Sequence, residues 1–524
     1  MTGAEMVVAA LRQAGATRMF GVPGGGSSLD LMAAARAQGM AFHLARTEAG
    51  AAIMAGATAE LTGAPCPVLV TRGPGVSAAA NGMANASLER APVILLADGF
   101  SLRDRDFASH QYFDHAALLR PVTKAQLGAP GIVAGLHAAM TPPLGPVLIE
   151  LTADEARAPV EAGPAFTRPA RRMPDGIEAA QALLAGARRP VIIAGLEAVL
   201  AAGAVRALAA QLSCPVLVTY KAKGVVADAH PLFCGVYTGG VAEAPVLHQA
   251  DLIILAGADP VEFIAQNWRY AAPVLELASV PRHPHYVVPA VALHGDVGLG
   301  LAALSGAPGD WRSEEIAQAR NAWLVLLANG PAGNRGMSPQ AVVELTQAAC
   351  REAGRHPRVA VDAGAHMFPA TTFWQAREPY DLLISNGLAS MGFALPAGIA
   401  AALHDPERGA VAFTGDGGLL MCMGELATAA ALGANLVVVV FNDATLSLID
   451  IKKGERALPE GGLDWPMVDF AAVMRGCGGL AWRVDDAAGF TAAMQQALAT
   501  PGPTLVDARV DPASYPAQIK ALRG

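Results

Sequence analysis

Residues 411–453 constrain the fold of this 524-residue chain more than any other segment. A short apolar strand, 411–413, leads into the glycine turn 415–418 and then into an alanine-rich helical stretch. A second apolar strand, 436–441, is followed at once by Asn442 and Asp443. A strand–helix–strand unit of this length is typical of parallel α/β sheets, in which ligands bind at the carboxyl ends of the strands. The pattern therefore predicts that Asp416 and Asp443 lie at one ligand-binding edge.

The residue types at this edge indicate a divalent cation and a phosphate group. Mg²⁺ prefers oxygen ligands and is commonly held by one or two carboxylates together with substrate phosphates. Asp416, Asp443 and the backbone carbonyl of Thr445 form a suitable set, and the N–H groups of Gly417 and Gly418 at a helix start suit phosphate oxygens. Taken alone, the same residues are also compatible with an ordinary turn and an ordinary strand end.

The rest of the chain repeats the alternation of apolar strands and helices. Such repetition favours parallel sheets covered by helices on both faces, and the length corresponds to about three domains of about 150–200 residues. Segments 156–180 and 328–338 lack sustained periodicity and resemble linkers. We therefore predict an α/β protein of three doubly wound parallel-sheet domains, covering residues 1–160, 175–310 and 335–524.

Composition and charge exclude several other classes. The net charge is −8 without a basic block, which disfavours nucleic acids and anionic membranes as partners. The sequence is 53% hydrophobic, but we find no apolar run of the roughly 18–20 residues that a membrane span requires. The N-terminus does not resemble a signal peptide, so a cytoplasmic location is expected. The six cysteines form no C-x-x-C pair, which gives no support to zinc or disulfides.

Several blocks resemble one known family in the expected order. GDG followed by Asn442-Asp443 resembles the thiamine-diphosphate signature of the acetohydroxyacid synthase, pyruvate oxidase and pyruvate decarboxylase superfamily, whose usual pair is Asn-Asn. The remaining blocks similar to this family are GVPGGGSSLDL (21–31), the segment around Glu48, TRGPGVSAAANGMANASLERAPVILL (71–96), DAGAHMF (362–368) and ISNGLASMGFALPAGIAAAL (384–403). The acetolactate synthase large-subunit-like branch is the most similar branch.

The resemblance implies thiamine diphosphate and Mg²⁺ as cofactors. It gives Glu48 the role of activating the aminopyrimidine, Met391 the role of an apolar wedge, and Ala389 backbone contacts with the pyrimidine. It also implies active sites shared between subunits, hence a homodimer or homotetramer. The implied cofactor-binding residues are Glu48, Gly364, Ala365, His366, Ala389, Met391, Gly415, Asp416, Gly417, Gly418, Asp443 and Leu446, and the implied metal ligands are Asp416, Asp443 and Thr445.

Residues 109–124 resemble the block of the synthases that approaches the substrate. Gln111 matches its active-site glutamine, Lys124 matches its lysine, and His110 stands where phenylalanine is usual. We therefore place Gln111 and His110 with Glu48 among the expected catalytic residues. His110 and His115 are candidate proton relays, or else parts of a polar surface loop. Lys452 occupies the position of a tryptophan that helps biosynthetic synthases select their acceptor, and it suits either an anionic substrate or a solvated helix face.

These expectations describe an enzyme that decarboxylates a 2-oxo acid and joins the remaining fragment to a second carbonyl, as acetolactate synthases do. A decarboxylase that releases the fragment, or a catalytically silent relative that binds the cofactor, stays open as an alternative. The middle of the chain has no clear flavin fingerprint, so FAD is not predicted.

Overall fold

The computed structural model describes residues 1–101, 107, 109–264, 266–282, 286–331 and 333–523. It contains three six-stranded sheets in which neighbouring strands run parallel. The central strands are apolar on both faces because helices cover both sides, as in Leu436–Asn442, where every residue is buried. The predicted class, α/β with three doubly wound parallel sheets, is confirmed.

The N-terminal domain has the strand order β2-β1-β3-β4-β6-β5. Its strands are β1 (Arg18–Val22), β2 (Ala41–Leu44), β3 (Cys66–Val70), β4 (Val93–Asp98), β5 (Gln126–Gly128) and β6 (Val147–Leu151). Its helices are α1 (Gly3–Gln13), α2 (Ser27–Ala37), α3 (Glu48–Thr62), α4 (Pro74–Leu88), α5 (His115–Leu119), α6 (Ile132–Met140) and α7 (Ala153–Arg157).

The central domain has the strand order β12-β11-β10-β7-β8-β9. Its strands are β7 (Pro190–Ala194), β8 (Val216–Val218), β9 (Phe233–Val236), β10 (Leu252–Ala256), β11 (Val274–Ala278) and β12 (Val291–His294). Its helices are α8 (Ile177–Ala185), α9 (Ala202–Leu212), α10 (Ala244–Leu247), α11 (Val297–Ala303) and α12 (Ser313–Ala328).

The C-terminal domain repeats the topology of the first, with the order β14-β13-β15-β16-β18-β17. Its strands are β13 (Arg358–Val361), β14 (Leu382–Ile384), β15 (Ala410–Gly415), β16 (Leu436–Asn442), β17 (Leu480–Val484) and β18 (Thr504–Arg509). Its helices are α13 (Pro339–Glu352), α14 (Met367–Phe373), α15 (Ala394–His404), α16 (Asp416–Cys422), α17 (Glu425–Ala431), α18 (Ser447–Glu455), α19 (Phe470–Gly476), α20 (Ala487–Ala499) and α21 (Tyr515–Arg523).

β5 and β9 are short strands at the edges of the N-terminal and central sheets. β5 has three residues and none of them is fully buried. β9 has four residues, is interrupted by Gly235 at φ +129°, and pairs with β8 through an irregular register. Strands this short carry too few residues for the twofold alternation that marks a strand in a sequence.

The two outer domains share one hydrophobic core. Helix α3 packs against α15, and both helices are rich in alanine. Small side chains allow helix axes to approach closely, so the high apolar content is used in buried contacts between domains. Within the described ranges, no helix is both long enough and apolar enough to cross a membrane.

Candidate active site

The carboxyl ends of β15 and β16 bring two carboxylates to one edge of the C-terminal sheet. The strands pair in parallel register, with Gly415 opposite Phe441. Asp416 is the first residue of α16, and Asp443 follows the last residue of β16. The charge of Asp443 acts on Asp416, which reflects their proximity. The turn and the strand end therefore meet as the spacing predicts.

Hydrogen bonds orient both carboxylates. The N–H groups of Gly417 and Ala444 donate to the two oxygens of Asp416, at 2.7 and 2.6 Å. The hydroxyl of Ser447 donates to Oδ2 of Asp443. Burial, reinforced by the charge of Asp443, raises the pKa of Asp416 to about 7, and burial raises the pKa of Asp443 to about 6. Two neighbouring acids disfavour each other's ionisation, and a divalent cation would remove that repulsion.

The Thr445 carbonyl, two residues after Asp443 in the sequence, belongs to a tight backbone turn. Leu446 has φ −75° and ψ 67°, the geometry of an inverse γ-turn, and the Ser447 N–H donates to the Thr445 oxygen at 2.9 Å. In the part of the chain that the structure describes, no group of three His, Cys, Asp or Glu side chains suited to a metal is found. The donor set is therefore two carboxylates and a carbonyl, which fits an oxygen-preferring cation whose shell is completed by phosphates or water.

His366 supplies an unsatisfied polar atom at the same edge. Its Nε2 is buried, without a hydrogen-bond partner among the described residues. The ring stacks on Phe441 with centroids 5.2 Å apart, and burial lowers the pKa of His366 to about 3, so the imidazole is neutral. A Cβ on Gly364 would lie 2.8 Å from this ring, and Gly364 has φ +154°. An orphaned buried nitrogen beside a glycine cradle is consistent with a ligand-binding loop.

An apolar wall adjoins the carboxylates. A Cβ on Gly417 would lie 3.0 Å from Leu446, 3.2 Å from Trp465 and 3.3 Å from Met391. A glycine at position 417 therefore lets these three apolar side chains approach the backbone beside Asp416. Ala389, at φ +54°, shapes the loop that brings Met391 to this wall. An organic ring system fits such a surface beside a charged metal site.

Glu48 belongs to a different edge, in the N-terminal domain. It is the first residue of α3, after the N-cap Thr47, whose hydroxyl accepts the Gly50 N–H at 3.0 Å. The half-buried Glu48 carboxylate lies 3.6 Å from the position of a Cβ on Gly75, at the start of α4. The structure thus places Glu48 beside the glycine turn of its own domain, and Asp416 with Asp443 in the other outer domain.

The segment that contains His110 and Gln111 is exposed in the single chain. Gln111 adopts φ +62°, and its backbone oxygen would lie 2.5 Å from a Cβ on Gly73. The buried His115 accepts the Gly73 N–H at Nε2, 3.0 Å, while its Nδ1 lies 2.8 Å from Glu150. Both nitrogens of His115 are therefore engaged in holding the glycine turn, which disagrees with a role as a proton relay.

Neither lysine singled out in the sequence touches the carboxylate pair. The ammonium of Lys124 donates to the carbonyls of Thr141 and Pro143, at 2.5 and 2.7 Å, and so holds a turn of its own domain. Lys452 is exposed on α18.

Family models match all three domains. The N-terminal TPP binding domain of the thiamine pyrophosphate enzymes matches residues 1–118, the central domain matches 177–304, and the C-terminal TPP binding domain matches 362–508. The chain belongs to the thiamine pyrophosphate enzyme family. The edge with Asp416 and Asp443 lies in its C-terminal cofactor-binding domain, and Glu48 lies in its N-terminal one.

Curated relatives cover nearly the whole chain. An acetolactate synthase of Bacillus subtilis is 29% identical over 97% of this chain and 93% of its own length. The large subunit of acetolactate synthase isozyme 1 of Escherichia coli is 28% identical over 97% of this chain and 94% of its own. A probable 2-ketoarginine decarboxylase of Pseudomonas aeruginosa is 29% identical over 86% of this chain and 83% of its own.

Two residues near the edge with Asp416 and Asp443 received no role in the sequence analysis. Asp362 accepts the N–H groups of Phe393 and Ala394, at 2.6 and 3.2 Å, and the Thr414 hydroxyl at 2.7 Å. It thereby fixes the start of α15 relative to the end of β15. Tyr515 is buried, and the charges of the two site carboxylates help raise its pKa. Asp362 directly follows β13 and Tyr515 follows β18, so position after a strand was the available signal.

Proposed function

We propose that the protein is a thiamine-diphosphate- and Mg²⁺-dependent enzyme that decarboxylates a 2-oxo acid and joins the remaining fragment to a second carbonyl compound. The observation that carries the proposal is the pair Asp416 and Asp443 beside the orphaned nitrogen of His366, in a domain matched by the family's cofactor-binding model. This set combines oxygen ligands, a glycine cradle and an apolar wall. It therefore suits a diphosphate held through a hard cation.

The chain's own residues would bind and orient the cofactor. Asp416, Asp443 and the Thr445 carbonyl hold the cation, and Gly364, Ala365, His366, Gly415, Gly417 and Gly418 surround the diphosphate. Met391 and Leu446 support the rings, Ala389 contacts the pyrimidine, and Glu48 stabilises the aminopyrimidine form that removes a proton. When bound, thiamine diphosphate would supply a nucleophilic carbon for the keto group and a cationic ring that can hold the electron pair left when CO₂ departs. Gln111 and His110 face the substrate.

Decarboxylation without ligation is the second candidate, because a relative of similar identity is a probable 2-ketoarginine decarboxylase. To separate the two, the protein with thiamine diphosphate and Mg²⁺ is incubated with 2-oxo acids singly and in pairs. Ligation gives CO₂ together with carbon–carbon bond products, whereas decarboxylation gives CO₂ and aldehyde. Glu48→Gln should abolish both, and Glu178→Gln, an exposed glutamate in the first turn of α8, is the matched control. Normal turnover by Glu48→Gln would sink the assignment.

We further propose that two subunits share each site, since Glu48 and the carboxylate pair occupy separate domains of one chain. The exposed apolar side chains of Leu44, Met421 and Met423 support a partner surface beside these edges. Glu48→Gln and Asp416→Asn proteins, each inactive alone, are mixed and reassembled. Random dimers should regain about a quarter of wild-type activity, because half are mixed and each mixed dimer has one intact site. No recovery, despite proven subunit exchange, would place each site within one chain.

A further inference from the structure

A buried carboxylate of the C-terminal domain reaches the residue that precedes Glu48. Glu425, fully buried at the start of α17, accepts the Thr47 N–H at 2.8 Å, the Thr47 hydroxyl at 2.8 Å and the Arg46 N–H at 3.2 Å. Its second oxygen accepts the Thr428 hydroxyl at 2.6 Å. One side chain therefore satisfies several donors at the entrance to α3, across a domain boundary.

The contact is close and directional. A Cβ on Gly50 would lie 2.5 Å from Oε1 of Glu425, so a glycine is required where α3 passes this carboxylate. Thr47 is the N-cap of α3, and Glu48 is its first residue. A carboxylate that accepts the N–H groups of Arg46 and Thr47 fixes the backbone immediately before Glu48. The charged hydrogen bonds make this restraint stronger than a neutral contact.

A similar contact runs from the N-terminal domain to the C-terminal domain. Glu89, which caps the end of α4, accepts the Gly387 N–H at 2.8 Å, and the Ser385 hydroxyl donates to Asn85 at 2.7 Å. These contacts hold the loop that leads to Met391. Because the outer sheets share one strand order, α4 follows β3 as α16 and α17 follow β15. In each outer domain, a buried carboxylate thus accepts hydrogen bonds from the other outer domain. The donors lie just before a proposed cofactor-contacting residue, Glu48 in one case and Met391 in the other.

We propose that Glu425 is a positioning residue for Glu48, holding the start of α3 so that the Glu48 carboxylate meets the cofactor in the productive geometry. The inference rests on the proposed function of Glu48. Misplacing a catalytic group by about 1 Å lowers a rate by about 100-fold. Loss of the Glu425 carboxylate is therefore expected to impair Glu48 while leaving the diphosphate and metal contacts of the other domain in place.

The test follows exchange of the C2 proton of thiamine diphosphate bound with Mg²⁺ in deuterated water, which requires no substrate. Glu425→Ala should slow exchange by about 100-fold, with cofactor affinity changed by less than about threefold. Glu425→Gln retains an oxygen that accepts the Thr47 N–H and should stay within about tenfold of wild type. In the cofactor-free protein, Glu425→Ala should also speed amide hydrogen exchange at residues 46 and 47. Glu178→Gln serves as the control.

A wild-type rate of C2 proton exchange in Glu425→Ala would overturn the proposal. An equal slowing in Glu425→Gln and Glu425→Ala would also overturn it, because the negative charge, and not the hydrogen bonds to Thr47, would then support Glu48. If Glu425→Ala does not fold, Glu425→Asp, which withdraws the carboxylate by one methylene, should give an intermediate slowing, and unchanged exchange there overturns the proposal equally. Failure of the proposed function is recognised separately. In that case Glu48→Gln exchanges the C2 proton as fast as wild type, whatever the Glu425 variants do.

Discussion

The carboxyl edges of the central and C-terminal sheets contain similar polar residues, but these residues differ in their hydrogen-bond partners. In the central domain, Glu262 accepts the N–H groups of Leu196 and Asp259, at 2.8 and 3.0 Å, and the Thr219 hydroxyl at 2.5 Å. These donors follow β7, β10 and β8 at the point where nucleotides bind to sheets with this strand order. In the C-terminal domain, the corresponding edge keeps two acids side by side and leaves Nε2 of His366 without a partner among the described residues.

Ion pairs provide further partners for the carboxylates of the central edge. Arg282 is paired with Asp259 and lies 2.6 Å from Glu197, and Arg90 of the N-terminal domain also pairs with Asp259 at 2.7 Å. At the central edge, the carboxylates of Glu262 and Asp259 thus have partners that the protein itself supplies. A sheet edge becomes a ligand site where the fold leaves polar groups to be satisfied from outside. A sheet edge has a structural role instead where other residues of the chain satisfy those polar groups.

Removing the ion pairs of Arg282 at the central edge should have the largest effect, a loss of folding stability. Arg282→Ala leaves the partly buried Glu197 without its ion-pair partner and weakens the pairing of the buried Asp259. Removal of one member of a buried pair costs about 3–5 kcal/mol. We expect a decrease of about that size in the unfolding free energy of the central domain, measured by urea titration. The control is Arg188→Ala, which removes the exposed pair with Asp310 in the same domain and should leave the transition unchanged. Equal stability of both variants would contradict the comparison.

Removing a ligand from the open edge should abolish cofactor retention with little effect on folding. Asp416→Asn replaces a charged oxygen ligand by an amide, so Mg²⁺-dependent binding of thiamine diphosphate should weaken by at least about 100-fold, or about 2.7 kcal/mol. Titration calorimetry measures the change. Asp486→Asn is the control, because asparagine caps a helix as well as aspartate and Asp486 is the N-cap of α20. Retained affinity in Asp416→Asn would place the metal elsewhere.

The pH dependence of metal binding sharpens the account of the open edge. The proposed cation would bind the ionised form of Asp416, whose pKa is raised to about 7 by burial and by the charge of Asp443. The apparent Mg²⁺ affinity of wild type should therefore fall as pH drops through 7, by up to about tenfold per unit for one competing proton. Asp443→Asn removes the neighbouring charge, so the pKa of Asp416 falls and the loss moves to lower pH. Identical profiles, measured by cofactor titration from pH 8 to pH 6, would show that the acids are uncoupled.

The same raised pKa predicts the stability of the cofactor-free protein with the opposite sign. An acid whose pKa is higher in the folded than in the unfolded state stabilises the fold at low pH, and this contribution is lost as pH rises through about 7. Binding of the proposed cation to the ionised acid would reverse that trend. Melting curves with and without Mg²⁺ and thiamine diphosphate should therefore diverge most above pH 7.

The smallest expected effect is that of adding FAD, which should not bind at the central edge. Because Glu262 already accepts its backbone donors, FAD should not bind there, and flavin fluorescence should remain unchanged on titration with the protein. Stoichiometric quenching that ADP reverses would show that the internal pairs open to a nucleotide, and the contrast between the two edges would fail.

Much of the fold follows from local pattern. Long buried strands such as β4 and β16, and helices such as α3 with its N-cap and its terminal Gly63, are marked by apolar runs and capping residues. The edge strands β5 and β9 are not, because their pairing depends on neighbours distant in sequence. The position of Asp416 and Asp443 at one edge is similarly local, since a single strand–helix–strand unit contains both.

The sequence by itself determined the class of fold and the order of the long strands and helices, because short-range periodicity and turn chemistry encode them. It also determined the family of the cofactor, because whole motifs encode it. Tertiary structure alone decided which polar residues remain available. His115 looked free to move protons, yet Gly73 and Glu150 engage it. Glu425 looked like any helical glutamate, yet it holds the entrance to α3. Packing selects hydrogen-bond partners that lie from 35 to 378 residues apart in these examples, and no local pattern records that choice.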